Sequence, residues 1–339
     1  MKTALTIFTA VALCIFAGCD GAAGKKETSI GKIKPLKEGN ELLTVDFEEG
    51  RSLRYRFVSR RDIELDWEPQ KSKSKPGQGS IDKSFESMEM VVTYTPIKVD
   101  PYGLTTIKAV CESLKATRSK RPGGRAARSD AVENLPGKTF TLTVNAAGKI
   151  EDNTQLDELI KLIGEKAFQK SARMGRIKAP DMIGDFISTQ WFLWDSVASI
   201  EQSTEGVSVG QSWSSKLSVP TPMVMREARD VTYTLDEIQQ SAKGRLAVIS
   251  SSYSLSDSVP AGWPIPYIGS FRMSGTFGFL RGYKILELKG QGRELFNIDA
   301  GRIEQYNQQY QMKIDAALPG PMPKPRITIN QKISMQLLN

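Results

Sequence analysis

Histidine is absent from all 339 residues, so any chemistry in this chain proceeds without imidazole. That removes Ser-His-Asp and Cys-His catalysis, imidazole general bases and His-ligated metals. An enzyme would have to rely on carboxylates, Lys, Tyr or Ser. Ser29-Ile30-Gly31-Lys32 has the Ser-x-x-Lys spacing in which a lysine activates a serine. It lies in a polar stretch with no helical pattern to hold it and no companion motif. Gly137-Lys138-Thr139 ends like a phosphate loop, but Val132 stands where the leading glycine must be. Asp152, Asp157 and Glu158 gather where a helical pattern begins. There carboxylates favour the positive end of the helix dipole, and no calcium-loop spacing accompanies them. The sequence thus offers no catalytic residue, no metal site and no cofactor.

The cysteines are more informative. Lys2 precedes an apolar run from Ala4 to Phe16, which is followed by Ala17-Gly18-Cys19. A spanning helix needs about 20 apolar residues, whereas the core of an export signal has about 7–15. The small residues before Cys19 allow the close backbone approach that a peptidase requires. This arrangement resembles the signal peptide and lipobox of bacterial lipoproteins. It departs from them at Phe16, where leucine is usual. The resemblance implies cleavage before Cys19, acylation of Cys19 by chains such as palmitate, and a mature protein on the periplasmic or outer face of a bacterial membrane. Asp20 is a retention signal for the inner membrane in some lipoproteins, but that rule varies with lineage and leaves the choice of membrane open. Each buried methylene contributes about 0.8 kcal/mol, so two or more chains anchor stably. With Cys14 in the signal and Cys19 as anchor, Cys111 is left without a disulfide partner. It shares a strand face with Ile107 and Ala109, which predicts a small buried core residue.

Composition is that of an ordinary globular protein, 40% apolar and 25% charged, with a net charge of +8. From Asp20 to Asn40 the chain is rich in Gly, Lys and Glu, as expected of a flexible tether. Lys115, Arg118, Lys120, Arg121, Arg125 and Arg128 follow one another with no acidic residue between them. The stretch lacks a hydrophobic period, which predicts a loop. It is the candidate contact for an anionic surface, where a basic residue contributes about 1 kcal/mol near anionic lipid. A second basic stretch runs from Lys71 to Gly79. Nucleic acid is not an expected partner, because aromatic residues are not interleaved with the basic ones.

The elements that must position these residues are mostly strands. Phe140, Leu142 and Val144 alternate with Thr139, Thr141 and Thr143. Ile327, Ile329, Ile333, Met335 and Leu337 share one face of the last segment. A period of two predicts half-buried antiparallel strands. The strand signals also recur. Val92-Thr93-Tyr94-Thr95, followed by Gly103, returns as Val231-Thr232-Tyr233-Thr234, followed by Gly244. Gly50-Arg51-Ser52-Leu53 matches Gly210-Gln211-Ser212-Trp213, and Val144 to Glu151 matches Ile298 to Glu304. Three matches in one order predict a duplicated β unit.

Between the repeats the period changes. Leu156, Leu159, Ile160, Ile163 and Ala167 follow helical spacing after Asn153 or Thr154 as a cap. A second helix is predicted to start at Pro180. It places Met182, Ile183, Phe186, Ile187, Trp191 and Trp194 on one stripe, from which Phe192 and Leu193 diverge. Phe271, Met273, Phe277 and Phe279 share a strand face that, with Trp191 and Trp194, would line an apolar cavity. Trp263-Pro264-Ile265-Pro266-Tyr267 is a rigid aromatic loop suited to packing over a strand end or to a partner.

The Val207-Ser208-Val209-Gly210-Gln211-Ser212-Trp213 segment and the Ala147-Gly148-Lys149-Ile150 turn also carry a resemblance. Together they resemble an uncharacterised family of bacterial envelope lipoproteins of unknown function. That resemblance implies export and a β-rich fold and supplies no site residues. The expected organisation is a signal peptide at 1–18, a tether at 19–40 and a first β repeat at 41–152. A central helical segment at 153–200 and a second β repeat at 201–315 follow, then a Pro-rich link and C-terminal strand at 316–339. The expected fold is β-rich α+β, with two related, curved antiparallel sheets, half-barrel-like, around a central helical pair. Two functions suit it. One is a non-catalytic, lipid-anchored envelope protein holding an apolar or amphiphilic ligand between sheet and helix. The other is an envelope scaffold contacting cell-wall polymer or a partner protein through its basic and aromatic loops. Besides the membrane reached through its acyl chains, the partners are thus lipid or polymer, and the oligomeric state is not fixed by sequence.

Overall fold

Side chains alternate between two environments along much of this chain, and in the computed structural model the alternation becomes long antiparallel strands. The structure describes residues 39–70, 80–119, 131–169, 180–201, 205–217, 219–220, 228–258, 280–318 and 324–338. β1 (Asn40–Glu41) pairs with β7 (Val207–Ser208) in a small separate ladder. The main sheet begins with β2 (Leu53–Asp66), β3 (Ile81–Val99), β4 (Thr105–Arg118), β5 (Thr139–Val144) and β6 (Ile150–Asp152). It continues with β8 (Ser212–Ser214), β9 (Val219–Pro220), β10 (Ala228–Ser241), β11 (Gly244–Leu255), β12 (Arg281–Asn297), β13 (Arg302–Ala317) and β14 (Arg326–Leu337). Its twelve strands run in the order β6-β5-β4-β3-β2-β14-β13-β12-β11-β10-β8, with β9 also paired to β10.

The β-rich α+β class is the expected one. The two β halves, however, belong to one continuous sheet. The C-terminal strand β14 joins them, pairing with β2 on one side and β13 on the other. The halves are successive meanders, and the matched segments hold equivalent places in them. Leu53 stands opposite Tyr94, and Trp213 opposite Tyr233. Ser52 Oγ lies 2.7 Å from Thr95 Oγ1, and Ser212 Oγ lies 2.8 Å from Thr234 Oγ1. Gly50 donates its N–H to the Pro96 carbonyl as Gly210 does to that of Leu235. The segment at Val45–Asp46 then ties the meanders together. Val45 N–H donates to Ala146, in the turn after β5, and Asp46 N–H to Gly301, in the turn after β12.

Among the described residues three helices lie between the meanders: α1 (Thr154–Gln169), α2 (Pro180–Phe192) and α3 (Asp195–Ala198). α1 buries Leu156, Leu159, Ile160 and Ile163 as the spacing predicts. Asn153 stands at the cap position, as expected, its carbonyl accepting the Asp157 N–H, and Asp152 Oδ1 accepts from both the backbone N–H and the hydroxyl of Thr154. α2 starts at Pro180, as expected. It contacts strands far apart in the sheet. Phe186 meets Phe140 of β5, Gln190 meets Tyr94 of β3, and Asp185 meets Ser59 of β2. Phe192 packs on Tyr306 of β13 and under Arg229 of β10. A 13-residue helix can touch both β5 and β10 only if the sheet curls around it. Among the described residues, no helix is long and apolar enough to cross a membrane.

Candidate functional site

Strand register fixes which side chains stand abreast on the inner face of the sheet. One row crosses seven strands: Arg118, Glu86, Arg61, Gln331, Tyr310, Gly290 and Tyr253. The next row contains Ser59, Ile333, Gln308, Gly292, Ser251 and Tyr233. These rows place a polar belt within an apolar core, against the polar side of α2.

On the β2 side the charges of the belt are paired, while Gln331 Oε1 has no hydrogen-bond partner among the described residues. Arg61 is 2% exposed and lies 3.1 Å from Asp185 and 3.5 Å from Glu86. Glu86 also pairs with Arg118. Ser59 Oγ donates to Asp185 Oδ2 at 2.6 Å, and Gln331 Nε2 donates to Ser59 Oγ at 2.8 Å. Within α2 the remaining hydroxyls and amide turn back on the helix. Ser188 donates to Gly184, while Thr189 and Gln190 donate to Phe186.

Further across the sheet the compensation stops at Arg229. This residue is 2% exposed. Its guanidinium carbon lies 4.6 Å from the ring centre of Phe192, 5.0 Å from that of Tyr253 and 5.1 Å from that of Tyr310. Among the described residues, its Nε and Nη1 have no hydrogen-bond partner. Gln308, also buried, leaves both ends of its amide unbonded. It stands two positions before Tyr310 on the same face of β13 and beside Gly292. The two glycines of β12 let this wall close up. A Cβ at Gly290 would stand 2.3 Å from Tyr310 Cβ, and one at Gly292 would stand 2.4 Å from Ser251 Oγ.

A third group lies where α3 meets β10 and β12. Asp195 accepts from Tyr233 at 2.6 Å, Ser215 at 2.8 Å and Ser199 at 2.9 Å. Burial nevertheless raises its pKa. Ser196 Oγ donates to Glu294 Oε1 at 2.5 Å. Burial pushes Glu294 up to about 8, with the Asp195 charge adding to the effect. These buried groups are arranged for hydrogen-bond and charge recognition.

Of the residues expected to line a cavity, Trp194 is core. It is 2% exposed and meets Phe47 and Tyr94 edge to face at 5.9 and 6.0 Å. Gly148 backs it so closely that a Cβ there would stand 2.9 Å from Trp194 Cβ. Trp191 is half-buried. Phe192 and Leu193 are buried, contrary to the expectation that they leave the stripe. The helix ends at Phe192 and the chain turns at Leu193–Trp194, so helical spacing no longer applies. Phe271, Met273, Phe277 and Phe279 lie outside the described residues, as do Trp263–Tyr267, Lys71–Gly79 and Cys19.

The basic stretch is corrected in part. Lys115 and Arg118 belong to strand β4, not to a loop. Leu114, Ala116 and Arg118 take one face while Lys115 and Thr117 are exposed, and this weak alternation was the overlooked signal. Arg118 spends its charge on Glu86. Lys120, Arg121, Arg125 and Arg128 lie outside the described residues. Cys111 is fully buried, as expected. A polar cleft of about 320 Å³ also opens beside β8, lined by Asn40, Glu201, Glu205, Gln211 and Trp213 among others.

Sequence reasoning missed Asp185, Asp195, Arg229, Glu294 and Gln308. The available signal was a polar residue in phase with apolar neighbours, as Gln331 is between Ile329 and Ile333.

No family model and no curated protein matches the chain. Among solved structures it is similar to lipovitellin, from a structure described as lipid-protein interactions in that protein, with a TM-score of 0.46 and 8% identity over 87% of this chain. The chain spans 26% of the length of that lipovitellin chain. It is also similar to DynF of the dynemicin biosynthesis pathway of Micromonospora chersina, with a TM-score of 0.18 and 8% identity, covering 89% of this chain and 92% of that one.

Proposed function

We propose that this chain is a non-catalytic, lipid-anchored protein of a bacterial cell envelope that binds an amphiphile between its curved sheet and central helix. The observation that carries the binding function is Arg229. Burying a guanidinium costs several kcal/mol unless an anion hydrogen-bonds to it, and Arg229 interacts with the Asp195 charge only through space. Its three ring contacts return about 2 kcal/mol each when desolvated, which offsets much of that cost. They also leave the in-plane N–H groups Nε and Nη1 unused. A carboxylate or phosphate oxygen would satisfy either of them, and the unbonded Gln308 amide on the same inner face adds a donor and an acceptor. The surrounding aromatic and aliphatic side chains suit an apolar tail. The anchor rests on the Lys2-to-Cys19 arrangement.

One observation favours the scaffold reading instead. Trp194, the residue best suited to gate a cavity, is already packed between Phe47 and Tyr94. Native mass spectrometry of the full-length protein, extracted from its own membrane, separates the two. The expected result is an amphiphile adduct on the wild type, lost in Arg229→Met, with the acyl mass at Cys19 kept in both. Wild-type protein free of any adduct, copurifying with a protein or polymer, would establish the scaffold and end the amphiphile reading.

A further inference from the structure

The exposed apolar side chains of this fold are collected at one end of the sheet. Among the described residues nine large hydrophobic side chains are exposed. Six of them, Leu42, Ile97, Tyr102, Leu104, Val209 and Leu338, lie at the end carrying the β3–β4, β5–β6, β10–β11 and β12–β13 turns. Tyr102, at the tip of the β3–β4 hairpin, is 90% exposed.

Contacts show that this is one surface. Gly103 of the β3–β4 tip abuts Ala146 of the β5–β6 turn. Ala146 accepts from Val45, and the neighbouring Asp46 donates to Gly301 of the β12–β13 turn. Arg245, just past the β10–β11 turn, reaches both Asp299 and Glu41. Val209 follows Ser208, which pairs with Asn40, and Leu338 N–H donates to Arg54 at the start of β2. The chain enters the described fold at Gly39 and Asn40, within this same surface. The strand ends leading to residues 71–79 and 120–130 lie at the opposite end of the sheet.

We infer that this turn-bearing end is a second membrane contact, which seats the fold against the bilayer interface. The inference rests on the anchoring reading for its occupant, because the segment leading from Cys19 arrives here. Tyr102 has the apolar body and polar tip that suit the headgroup boundary, and Ile97 and Leu104 flank it. The charges around them are mixed, with Glu41, Asp100 and Asp299 beside Lys98, Lys149 and Arg245. Contact is therefore apolar in origin and insensitive to salt, unlike adhesion through a basic loop.

The test uses the full-length protein reconstituted in phosphatidylcholine vesicles that contain a doxyl-labelled lipid. A fluorophore is attached either at the tip, through Tyr102→Cys, or at the opposite end, through Ile81→Cys. The expected result is severalfold stronger quenching at position 102 than at 81, unchanged by high salt and reduced by Ile97→Ser with Leu104→Ser. Intact mass reports acylation separately, so the two readings can fail separately. Unacylated protein whose label at 102 is still quenched keeps the docking surface and removes the anchor. Acylated protein with both labels equally unquenched overturns the inference. So does self-association that shields the label at 102 from water without quenching by lipid.

Discussion

Arg61 of β2 and Asp185 of α2 form a buried ion pair, with Nη2 3.1 Å from Oδ2 and Arg61 only 2% exposed. The pair fastens the central helix to the sheet. Removing one partner of a buried pair typically costs about 3–5 kcal/mol, and without Asp185 the Arg61 charge would keep Glu86 but lose the nearer of these two carboxylates. Asp185→Ala should therefore lower the urea midpoint by a large fraction of the total stability. Asp185→Asn, which keeps an acceptor for Ser59, should cost less. Equal loss in both variants would mean that the charge is unimportant.

Glu294 makes stability depend on pH. Burial raises its pKa from about 4.5 in the unfolded chain to about 8 in the fold. Between those values the fold retains a proton that the unfolded chain has released. Stability therefore falls as pH rises through that window, by up to about 1.4 kcal/mol per unit. Asp195, also raised by burial, acts in the same direction. Glu294→Gln should flatten much of the fall and stabilise the protein at neutral pH. Denaturant midpoints near the two ends of the window would show it, and an unaltered slope would refute it.

Arg229→Met should stabilise the ligand-free protein, by about 1–3 kcal/mol, because it replaces a buried charge that leaves Nε and Nη1 without hydrogen-bond partners with an apolar side chain of similar length. The same variant should lose its amphiphile. Thermal unfolding of delipidated samples gives the first result. Lost stability together with retained ligand would contradict both expectations.

Gly290→Ala should destabilise the sheet, although a strand interior ordinarily favours alanine over glycine. The added Cβ would stand 2.3 Å from Tyr310 Cβ and 2.5 Å from the Gln309 carbonyl oxygen. Overpacking of this kind costs about 1–3 kcal/mol. A calorimetric melting temperature at or above that of the wild type would show that the wall has room.

Cys111 should resist alkylation in the native protein at neutral pH and react once the chain is unfolded. It is fully buried, and burial pushes its thiol up to about 12. Quantitative labelling before unfolding, followed by mass spectrometry, would place it at an accessible surface instead.

The alternation of side chains was enough to find the strands, because a half-buried strand has to repeat every two residues. It located β5 and β14, and helical spacing located α1 and the start of α2. The turn glycines were legible for a related reason. Gly148 has a φ of +84° and Gly301 of +55°, a region that favours glycine. The anchor proposed at Cys19 likewise rests on its neighbours in sequence alone.

The candidate site was not legible, because its parts become neighbours only through register and curvature. Arg229, Tyr253, Tyr310 and Phe192 come from three strands and a helix, and nothing local brings them together. Pairing of β14 between β2 and β13 turned two expected sheets into one, since strand partners depend on long-range hydrogen bonds that sequence spacing does not encode. Local sequence therefore determined which residues alternate, turn and cap. Tertiary structure decided which buried charges found partners, and left Arg229 facing three aromatic rings.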